Sequence, residues 1–180
     1  MAAVNAPLSL PPHPTSPLIP VLLTATARLE PRELVLHYRL RGDTAAVRWP
    51  PAEGGGAADG LWQHTCFEAF IGTAGQTAYH EFNFSPSGRW AHYAFSRERE
   101  RATDPTHAAP PLIDLQRTAE GVDLVAVLDR HALPPAPWAI GLCAVIEGLQ
   151  GQLAHRALHH PRDKPDFHHR AGWTLHLPAD

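Results

Sequence analysis

The chain has 180 residues, of which 44% are hydrophobic and 18% charged, and its formal net charge is −3. This length suits one domain with a substantial core, and the slightly negative charge argues against nucleic acid, whose binding proteins carry a basic stripe. No apolar run approaches the roughly 20 residues that cross a bilayer, and residues 1–17 lack the basic flank and apolar stretch of a secretory signal. We therefore expect a cytoplasmic globular protein without nucleic-acid or membrane partners.

Short apolar runs separated by turn residues make up most of the chain. The 19 prolines and 13 glycines lie between these runs, which favours many short strands over long helices. Residues 1–17 are Pro-rich with few large apolar side chains, so we predict a flexible or loosely packed lead-in, followed by one domain over 18–180. Cys66 and Cys143 lie in apolar runs and are predicted to be buried, reduced thiols.

Strands are predicted over residues 20–29, 33–40, 45–49, 65–72, 77–84, 89–95, 112–118, 122–129, 138–147, 153–158 and 173–177. The alternation is clearest over 33–40, where Leu34, Leu36 and Leu40 share the apolar face. Residues 96–103 carry alternating charges and are predicted as an exposed helical turn or loop without a role in the chemistry. Ten or so short strands without βαβ spacing predict an all-β protein, an antiparallel β-sandwich of jelly-roll-like type.

The segment 61–95 carries the clearest functional signal. Pairing the residues that flank its TAGQ loop sets Phe67 against Phe82 on an apolar face, and Glu68 against Glu81 on the opposite face. Two like charges directly opposed on a sheet are unfavourable unless something compensates them. This local conflict is the feature of the sequence that points most directly to a functional site.

Other polar and aromatic groups are predicted to join the two glutamates. The same register places Asn83 on their face, and a tight SPSG turn adds His92 beside Glu81, with Trp62 and Arg89 nearby. Sugar hydroxyls bind planar polar groups, and sugar C–H faces stack on aromatic rings, so the set suits a small polar ligand. Alternatively, Arg89 or a charged His92 neutralises the glutamates and the indoles fill a secondary core.

A catalytic acid–base pair is another use for two carboxylates. Retaining glycosidases hold theirs about 5 Å apart, and direct cross-strand neighbours reach that distance. Glu68 and Glu81 would nevertheless project side by side from one sheet, where they cannot easily flank a glycosidic bond from opposite faces. We therefore expect a binding protein and not an enzyme.

Three motifs occur in a recognisable order: W-x5-E from Trp62 to Glu68, Y-x-E-F-N-x-S-P-x-G-x-W from Tyr79 to Trp90, and K-P-D-F-H from Lys164 to His168. Together they resemble the DOMON-like superfamily that includes the type 9 carbohydrate-binding modules, and more narrowly its stand-alone bacterial proteins. The resemblance extends over about residues 20–177. It implies an antiparallel β-sandwich that binds either a sugar or haem.

In the sugar-binding modules of that superfamily, two tryptophans sandwich a terminal sugar, and carboxylate, arginine and amide groups bind its hydroxyls. The resemblance implies these roles for Trp62 and Glu68, with Arg89 as the arginine. For the second aromatic position it offers Trp173, or alternatively His168 or His169 in the ligand-facing loop. Because six residues of straight strand span about 20 Å, Trp62 shares a ligand with Glu68 only if residues 62–64 fold back.

Haem and metal ions are the cofactors to be weighed. The haem-binding branch usually ligates iron through methionine with histidine or lysine, whereas the only methionine here is Met1 in the predicted lead-in. Six of the 13 histidines lie in the last 26 residues, but their spacing matches no recognised closed metal site. We expect no cofactor, and Asp166 is expected to accept a hydrogen bond from His168 and fix its tautomer.

The leading hypothesis is therefore a non-catalytic module that binds a sugar or another small polar ligand. A haem-binding electron-transfer domain and a structural or protein-interaction sandwich without a ligand are the alternatives. Ligand identity and oligomeric state remain open at this point.

Overall fold

The structure is a computed structural model that describes residues 6–52, 54–103 and 109–178; Met1 lies outside these ranges. Its strands are β1 Leu8–Ser9, β2 Val21–Leu29, β3 Glu33–Gly42, β4 Gly56–Ala57, β5 Cys66–Thr73, β6 Tyr79–Phe84, β7 Arg89–Arg97, β8 Glu100–Arg101, β9 Leu112–Thr118, β10 Gly121–Asp129, β11 Trp138–Glu147, β12 Leu153–Ala157 and β13 Leu175–Leu177. Short 3-10 turns occupy Thr44–Ala46, Leu61–Gln63, Arg130–Ala132 and Arg170–Gly172.

These strands form two sheets, so the predicted β-sandwich is confirmed. The smaller sheet has the order β1-β2-β3-β10-β9, and the larger has the order β12-β11-β5-β6-β7-β4, with β13 beside β11 and β8 beside β7. Within the described ranges, all strand pairs are antiparallel except the two-residue pair of β4 with β7. None of the helices in these ranges has the length and apolar character needed to span a membrane.

The main core lies between the two sheets and follows the alternation read from the sequence. Leu34, Leu36 and Leu40 project from β3 and are fully buried, as are Phe67 and Phe84 from the facing sheet. Each such side chain stabilises the fold by about 1.5–3 kcal/mol relative to leaving it in water. The predicted burial of Phe67, Phe82 and Phe84 is confirmed.

A second, smaller cluster lies on the outer face of the larger sheet. Phe70, Tyr79 and Phe95 project from that face and pack against residues 158–174, which we call the cover segment. Trp173 of this segment lies flat on β11 because Gly141 has no side chain there; a Cβ at Gly141 would come within 2.4 Å of the indole. The cover segment is what turns an open sheet face into a site.

The predicted loose lead-in over residues 1–17 is wrong for the part that the structure describes. β1 pairs with β2, and Leu10 and His13 are buried. His13 also bonds to the cover segment, since its Nε2 lies 2.9 Å from the carbonyl oxygen of Arg162. The high proline content of this segment is typical of disordered chains, but its few apolar side chains, such as Leu10, are buried in the core.

Two further segments differ from prediction. Residues 45–49 form no strand: Asp43 caps the Thr44–Ala46 turn, and Val47 makes a single bridge with Gly148. Residues 96–103 are neither a helical turn nor a plain loop, because they complete β7 and return as β8. Both cysteines are free and buried, as predicted.

Candidate functional site

The β5–β6 hairpin has a different register from the predicted one. Glu68 lies opposite Asn83, and Glu81 lies opposite Phe70, so the direct Glu68–Glu81 pairing is wrong by two residues. A shift of two preserves the face of every side chain, and the two glutamates remain on the outer face as diagonal neighbours. The alternation of side chains specifies which face each residue occupies, whereas the loop between the strands determines the register. The backbone carbonyls of Thr73 and Ala78, at the two ends of this loop, accept hydrogen bonds from Arg170 of the cover segment.

The β6–β7 register differs from prediction by one residue, which reverses the face of each β7 side chain. Glu81 pairs with Tyr93, and His92 pairs with Phe82. His92 therefore lies on the core-facing side, with its Nε2 3.2 Å from Nδ1 of His80, and it does not join the glutamates. The cause is the SPSG loop, in which the Ser85 amide bonds to the Arg89 carbonyl and adds one residue to the turn.

A cavity of about 340 Å³ opens on the outer face beneath the cover segment. It combines carboxylate, guanidinium, imidazole and aromatic side chains from the larger sheet, the Leu61–Gln63 turn and the cover segment. Its lining residues are Trp62, Glu68, Phe70, Glu81, Tyr93, Phe95, Arg99, Arg101, Val145, His155, Pro165, Phe167 and His168. Four of the predicted ligand-binding residues, Trp62, Glu68, Glu81 and His168, thus line one cavity.

Trp62 reaches the cavity because the chain folds back before β5. Gly60 adopts the left-handed conformation, with φ +71°, and the Leu61–Gln63 turn follows it. This reversal brings Trp62 into the same cavity as Glu68, as the spacing between them requires. Trp62 is 49% exposed, so its ring has a free face at the rim.

Glu68 and Glu81 form the buried acidic floor of the cavity. They are 2% and 6% exposed, and the Asn83 side-chain amide donates to Oε1 of Glu81 at 2.9 Å. Burial, followed by the charge of Glu81, raises the pKa of Glu68 well above its usual range. Burial also raises the pKa of Glu81, although the Asn83 hydrogen bond and the charges of Arg101 and Arg99 oppose this. In such a site one carboxyl group retains its proton more readily than both groups ionise.

A short chain of hydrogen bonds holds His168 beside Glu81. The Arg99 backbone amide donates to the Tyr79 hydroxyl at 3.1 Å, and that hydroxyl lies 2.6 Å from Nδ1 of His168. Burial and the charge of Arg99 lower the pKa of His168 to about 4, so the ring is neutral at neutral pH and Nδ1 accepts from Tyr79. The remaining proton is then on Nε2, which lies 3.7 Å from Oε2 of Glu81.

Asp166 does not orient His168 as predicted. Its carboxylate accepts a hydrogen bond from the Arg99 guanidinium at 2.8 Å and lies 3.5 Å from that of Arg162. This pair ties the cover segment to the turn between β7 and β8. The tautomer of His168 is determined instead by Tyr79, which sequence spacing could not connect to it.

Arg99 and Arg101 are functional candidates that the sequence analysis missed. Both line the cavity, and the Arg101 guanidinium carbon lies 3.9 Å from the centre of the Tyr93 ring. Arg99 has φ +59°, an uncommon conformation for a residue with a side chain. The alternate spacing of Arg97, Arg99 and Arg101 was the available signal, and it was interpreted as a solvated loop.

Four predicted site residues lie outside this cavity. Asn83 is buried beside it and bonds to Glu81, and His92 is on the opposite face of the sheet. Arg89 lines a neighbouring cavity of about 640 Å³ with Ser85, Ser87 and Glu147. Trp173 is 2% exposed and donates from Nε1 to the Phe167 carbonyl at 2.8 Å, so it supports the cover segment from below. Of the two candidates for the second aromatic position, His168 is the one that lines the cavity.

The C-terminal histidines do not gather into a metal centre in the part of the chain described: no group of three or more His, Cys, Asp or Glu side chains there is arranged to hold a metal ion. His155 lines the cavity, and burial lowers its pKa. His160 packs edge-on against His13 at 4.9 Å between ring centres. These rings hold the N-terminal segment, β12 and the cover segment together.

No protein-family model and no curated protein sequence matches this chain. Among solved structures, its fold is similar to that of a "putative carbohydrate-binding protein" from Bacteroides uniformis. The two share a TM-score of 0.66 at 18% sequence identity, and the match covers 95% of this chain and 84% of the other. At that identity the likeness shows a shared β-sandwich fold.

Proposed function

We propose that this chain is a non-catalytic binding module for a sugar or another small polar ligand, and that the cavity beneath the cover segment is its site. The observation that carries the proposal is the meeting of two buried carboxylates, Glu68 and Glu81, with the half-exposed Trp62 at one opening. Buried acids cost stability unless their partners are supplied, so a protein without a ligand gains nothing from this arrangement.

The chemistry of the cavity matches a polyhydroxylated ring. The carboxylates accept hydrogen bonds from hydroxyl groups, and Arg99 and Arg101 donate to ring and hydroxyl oxygens from the opposite rim. The Trp62 ring offers a flat apolar surface for the C–H face of a sugar. A volume of about 340 Å³ is at the small end of ligand sites, which favours one or two sugar units.

Two likenesses support the same proposal. The motifs at Trp62 to Glu68, Tyr79 to Trp90 and Lys164 to His168 resemble DOMON-like proteins, some of which bind sugars. The solved structure from Bacteroides uniformis is named for carbohydrate binding and has the same fold. Under this proposal Trp62 is the stacking platform and Glu68 an acceptor, as the resemblance implies.

Binding without catalysis follows from the placement of the acids. Glu68 and Glu81 project from neighbouring strands of one sheet face, so both approach a ligand from the same side. An acid and a nucleophile or base that cleave a glycosidic bond must flank it. The cavity therefore holds a sugar without reaching both sides of its linkage.

Isothermal titration calorimetry of the purified protein against a panel of neutral, amino, N-acetylated and acidic monosaccharides and disaccharides tests the proposal. We expect saturable one-site binding of at least one sugar, lost or weakened in Trp62→Ala and retained in Leu112→Ala, which removes an exposed side chain of the other sheet. Absence of binding across the panel, or a Soret absorption near 400 nm that survives desalting, would overturn it in favour of the interaction or haem alternative.

A further inference from the structure

We propose that the ligand of this cavity carries a positively charged amine, as an amino sugar does, and that its ammonium group binds between Glu68 and Glu81. This inference rests on the proposed function and narrows it to a chemical class. Nothing in a sugar-binding β-sandwich as such requires a cationic ligand, so the inference depends on the groups that line this particular site.

The floor of the cavity has an excess of hydrogen-bond acceptors. Oε1 of Glu68, which lines the cavity, and Oδ1 of Asn83, which is buried beside it, have no hydrogen-bond partner among residues 6–52, 54–103 and 109–178. These two residues lie directly opposite each other on β5 and β6. The Asn83 amide nitrogen is already committed to Glu81. An ammonium group brings three donors and no acceptor, and so complements a floor of this kind.

The charges around the cavity also favour a cationic ligand. Asp166 lies 2.8 Å from Arg99 and 3.5 Å from Arg162, and Arg162 lies 3.5 Å from Glu98, so this group of two cations and two anions has no net charge. Arg101 lies over Tyr93, and its charge acts on Glu81. The titratable groups that face the glutamates from the other packed elements are Tyr79, Tyr93, Cys66, Cys143, His155 and His168. Burial keeps all six uncharged at neutral pH.

With both glutamates ionised, the lining would therefore carry one unbalanced negative charge in a poorly solvated place. Without a ligand, a proton retained by one of the two glutamates removes that charge. A bound ammonium group removes it without the proton, whereas an anionic ligand would add to the repulsion. A neutral sugar leaves the proton in place and gains no ionic contact.

The walls also suit a cation. Trp62, Phe70, Phe95 and Phe167 surround the space above the carboxylates, and the faces of such rings attract positive charge. The Tyr93 ring already holds a cation, the Arg101 guanidinium at 3.9 Å. An amine carried on a sugar ring would thus meet aromatic side chains at its sides and carboxylates below.

The test compares three sugars that share one stereochemistry: the hexose, the 2-amino hexose and its N-acetyl derivative, in the gluco, galacto and manno series. N-acetylation removes the charge while keeping the nitrogen, so the third sugar is the matched control. Calorimetry at pH 6, where an amine with a pKa near 8 is charged, in two buffers of different ionisation enthalpy, measures affinity and proton release together.

We expect the amino sugar of at least one series to bind about tenfold or more tightly than its hexose and N-acetyl counterparts, as hydrogen bonds to charged groups provide. About one proton should be released per amine bound. The preference for the amino sugar over the hexose and over the N-acetyl sugar should disappear in Glu68→Gln and in Glu81→Gln. It should persist in Glu120→Gln, which removes an exposed carboxylate in the turn between β9 and β10 of the smaller sheet. Thermal melts establish that each variant is folded, and the second glutamine variant serves if the first is not.

Equal or tighter binding of the neutral hexose or the N-acetyl sugar would overturn this inference and leave the proposed sugar-binding function intact. Amine binding without proton release, or with its preference unchanged in both glutamine variants, would also overturn it. If none of the nine sugars binds, the inference is overturned, whereas the proposed function fails only if the acidic sugars and the disaccharides of the wider panel also do not bind.

Discussion

Trp62 is expected to contribute strongly to ligand binding and little to folding. About half of its surface is exposed, and the Leu61–Gln63 turn holds it at the rim. We expect Trp62→Ala to reduce sugar affinity about tenfold, which corresponds to roughly 1–2 kcal/mol of lost stacking, with little change in melting temperature. Titration calorimetry and thermal melts measure the two effects, and an unchanged affinity would remove Trp62 from the site.

Glu68 is expected to contribute to binding at the expense of stability. Its pKa is raised in the folded chain by burial and by Glu81, so the folded chain retains a proton that the unfolded chain loses above about pH 4.3. Stability therefore falls as pH rises from that value towards the raised pKa. Glu68→Gln should weaken ligand binding and yet match or exceed the melting temperature of the native protein, with an advantage that grows between pH 5 and pH 8.

Glu147 is the matched control for that variant. Burial raises its pKa, but hydrogen bonds from His64 and Arg48 outweigh burial and lower it overall. Glu147→Gln should therefore lower the melting temperature at neutral pH. If Glu68→Gln behaves in the same way and lowers it by many degrees, Glu68 belongs to a structural network and the binding proposal loses its main support.

His168 provides the opposite pH dependence. Its pKa is lowered to about 4 from an ordinary value of about 6.5, so the unfolded chain binds a proton in this interval that the folded chain does not. Stability is accordingly lost as pH falls from about 6.5 to about 4. His168→Gln, which can still accept from Tyr79, should lose less melting temperature across this interval than the native protein or the surface variant His131→Gln. Identical pH profiles for all three would show that folding does not lower the pKa of His168.

Part of the candidate site could be predicted from the residue types in the sequence, and there is a physical reason why the rest could not. Trp62, Glu68, Glu81 and His168 were predictable because each residue type conflicts with its apolar strand or belongs to a motif. His92 was misplaced because one extra turn residue reversed its face. Arg99 and Arg101 were overlooked because exposed charges are usually solvated, and only the return of β8 beside β7 brings them to the cavity.

Among the elements, the cover segment does most to convert the sheet into a site. It is attached through Trp173 on β11, Arg170 on the β5–β6 loop, and the Arg99–Asp166 pair. None of these contacts has a periodic signature, so the sequence analysis predicted strands around this segment but not its position. Strand positions were accessible because the alternation over 33–40 and the continuous apolar run over 138–147 report burial directly.

Gly141→Ala tests this attachment. A Cβ at this position would lie 2.4 Å from the Trp173 ring, so the indole and the segment that follows Phe167 must shift. We expect a loss of about 1–3 kcal/mol in stability, as for other overpacked sites, together with weakened ligand binding. Chemical denaturation and near-ultraviolet circular dichroism measure both, and Gly55→Ala, where nothing lies within 4 Å, should be neutral. Native stability in Gly141→Ala would mean that Trp173 does not pack on β11.

In the molecule as a whole, the N-terminal segment lies beside the cover segment. The N-terminal segment adds β1 to the smaller sheet, bridges to β12 through Pro12 and Arg156, and contacts the cover segment through His13. The proline content of this segment led to the prediction of a loose lead-in. That prediction was wrong because composition describes the segment on average and does not show that a few apolar side chains, such as Leu10, are buried.

Leu10 and Leu18 give a matched pair within this segment. Leu10 is 1% exposed and Leu18 is 91% exposed. Leu10→Ala should cost about 2–5 kcal/mol in unfolding free energy, whereas Leu18→Ala should stay within about 0.5 kcal/mol of the native value. Urea denaturation measures both, and equal effects would show that the segment does not pack in solution.

The central claim is that the cavity between Trp62, the glutamate pair and the cover segment binds a sugar. A crystal structure with the tightest-binding sugar of the panel tests it most directly. We predict a sugar ring against the Trp62 indole, with a hydroxyl or amine within hydrogen-bond distance of Glu68 or Glu81, and Arg101 or Arg99 on its other edge. A sugar bound elsewhere on the molecule, with this cavity free of it, would contradict the account.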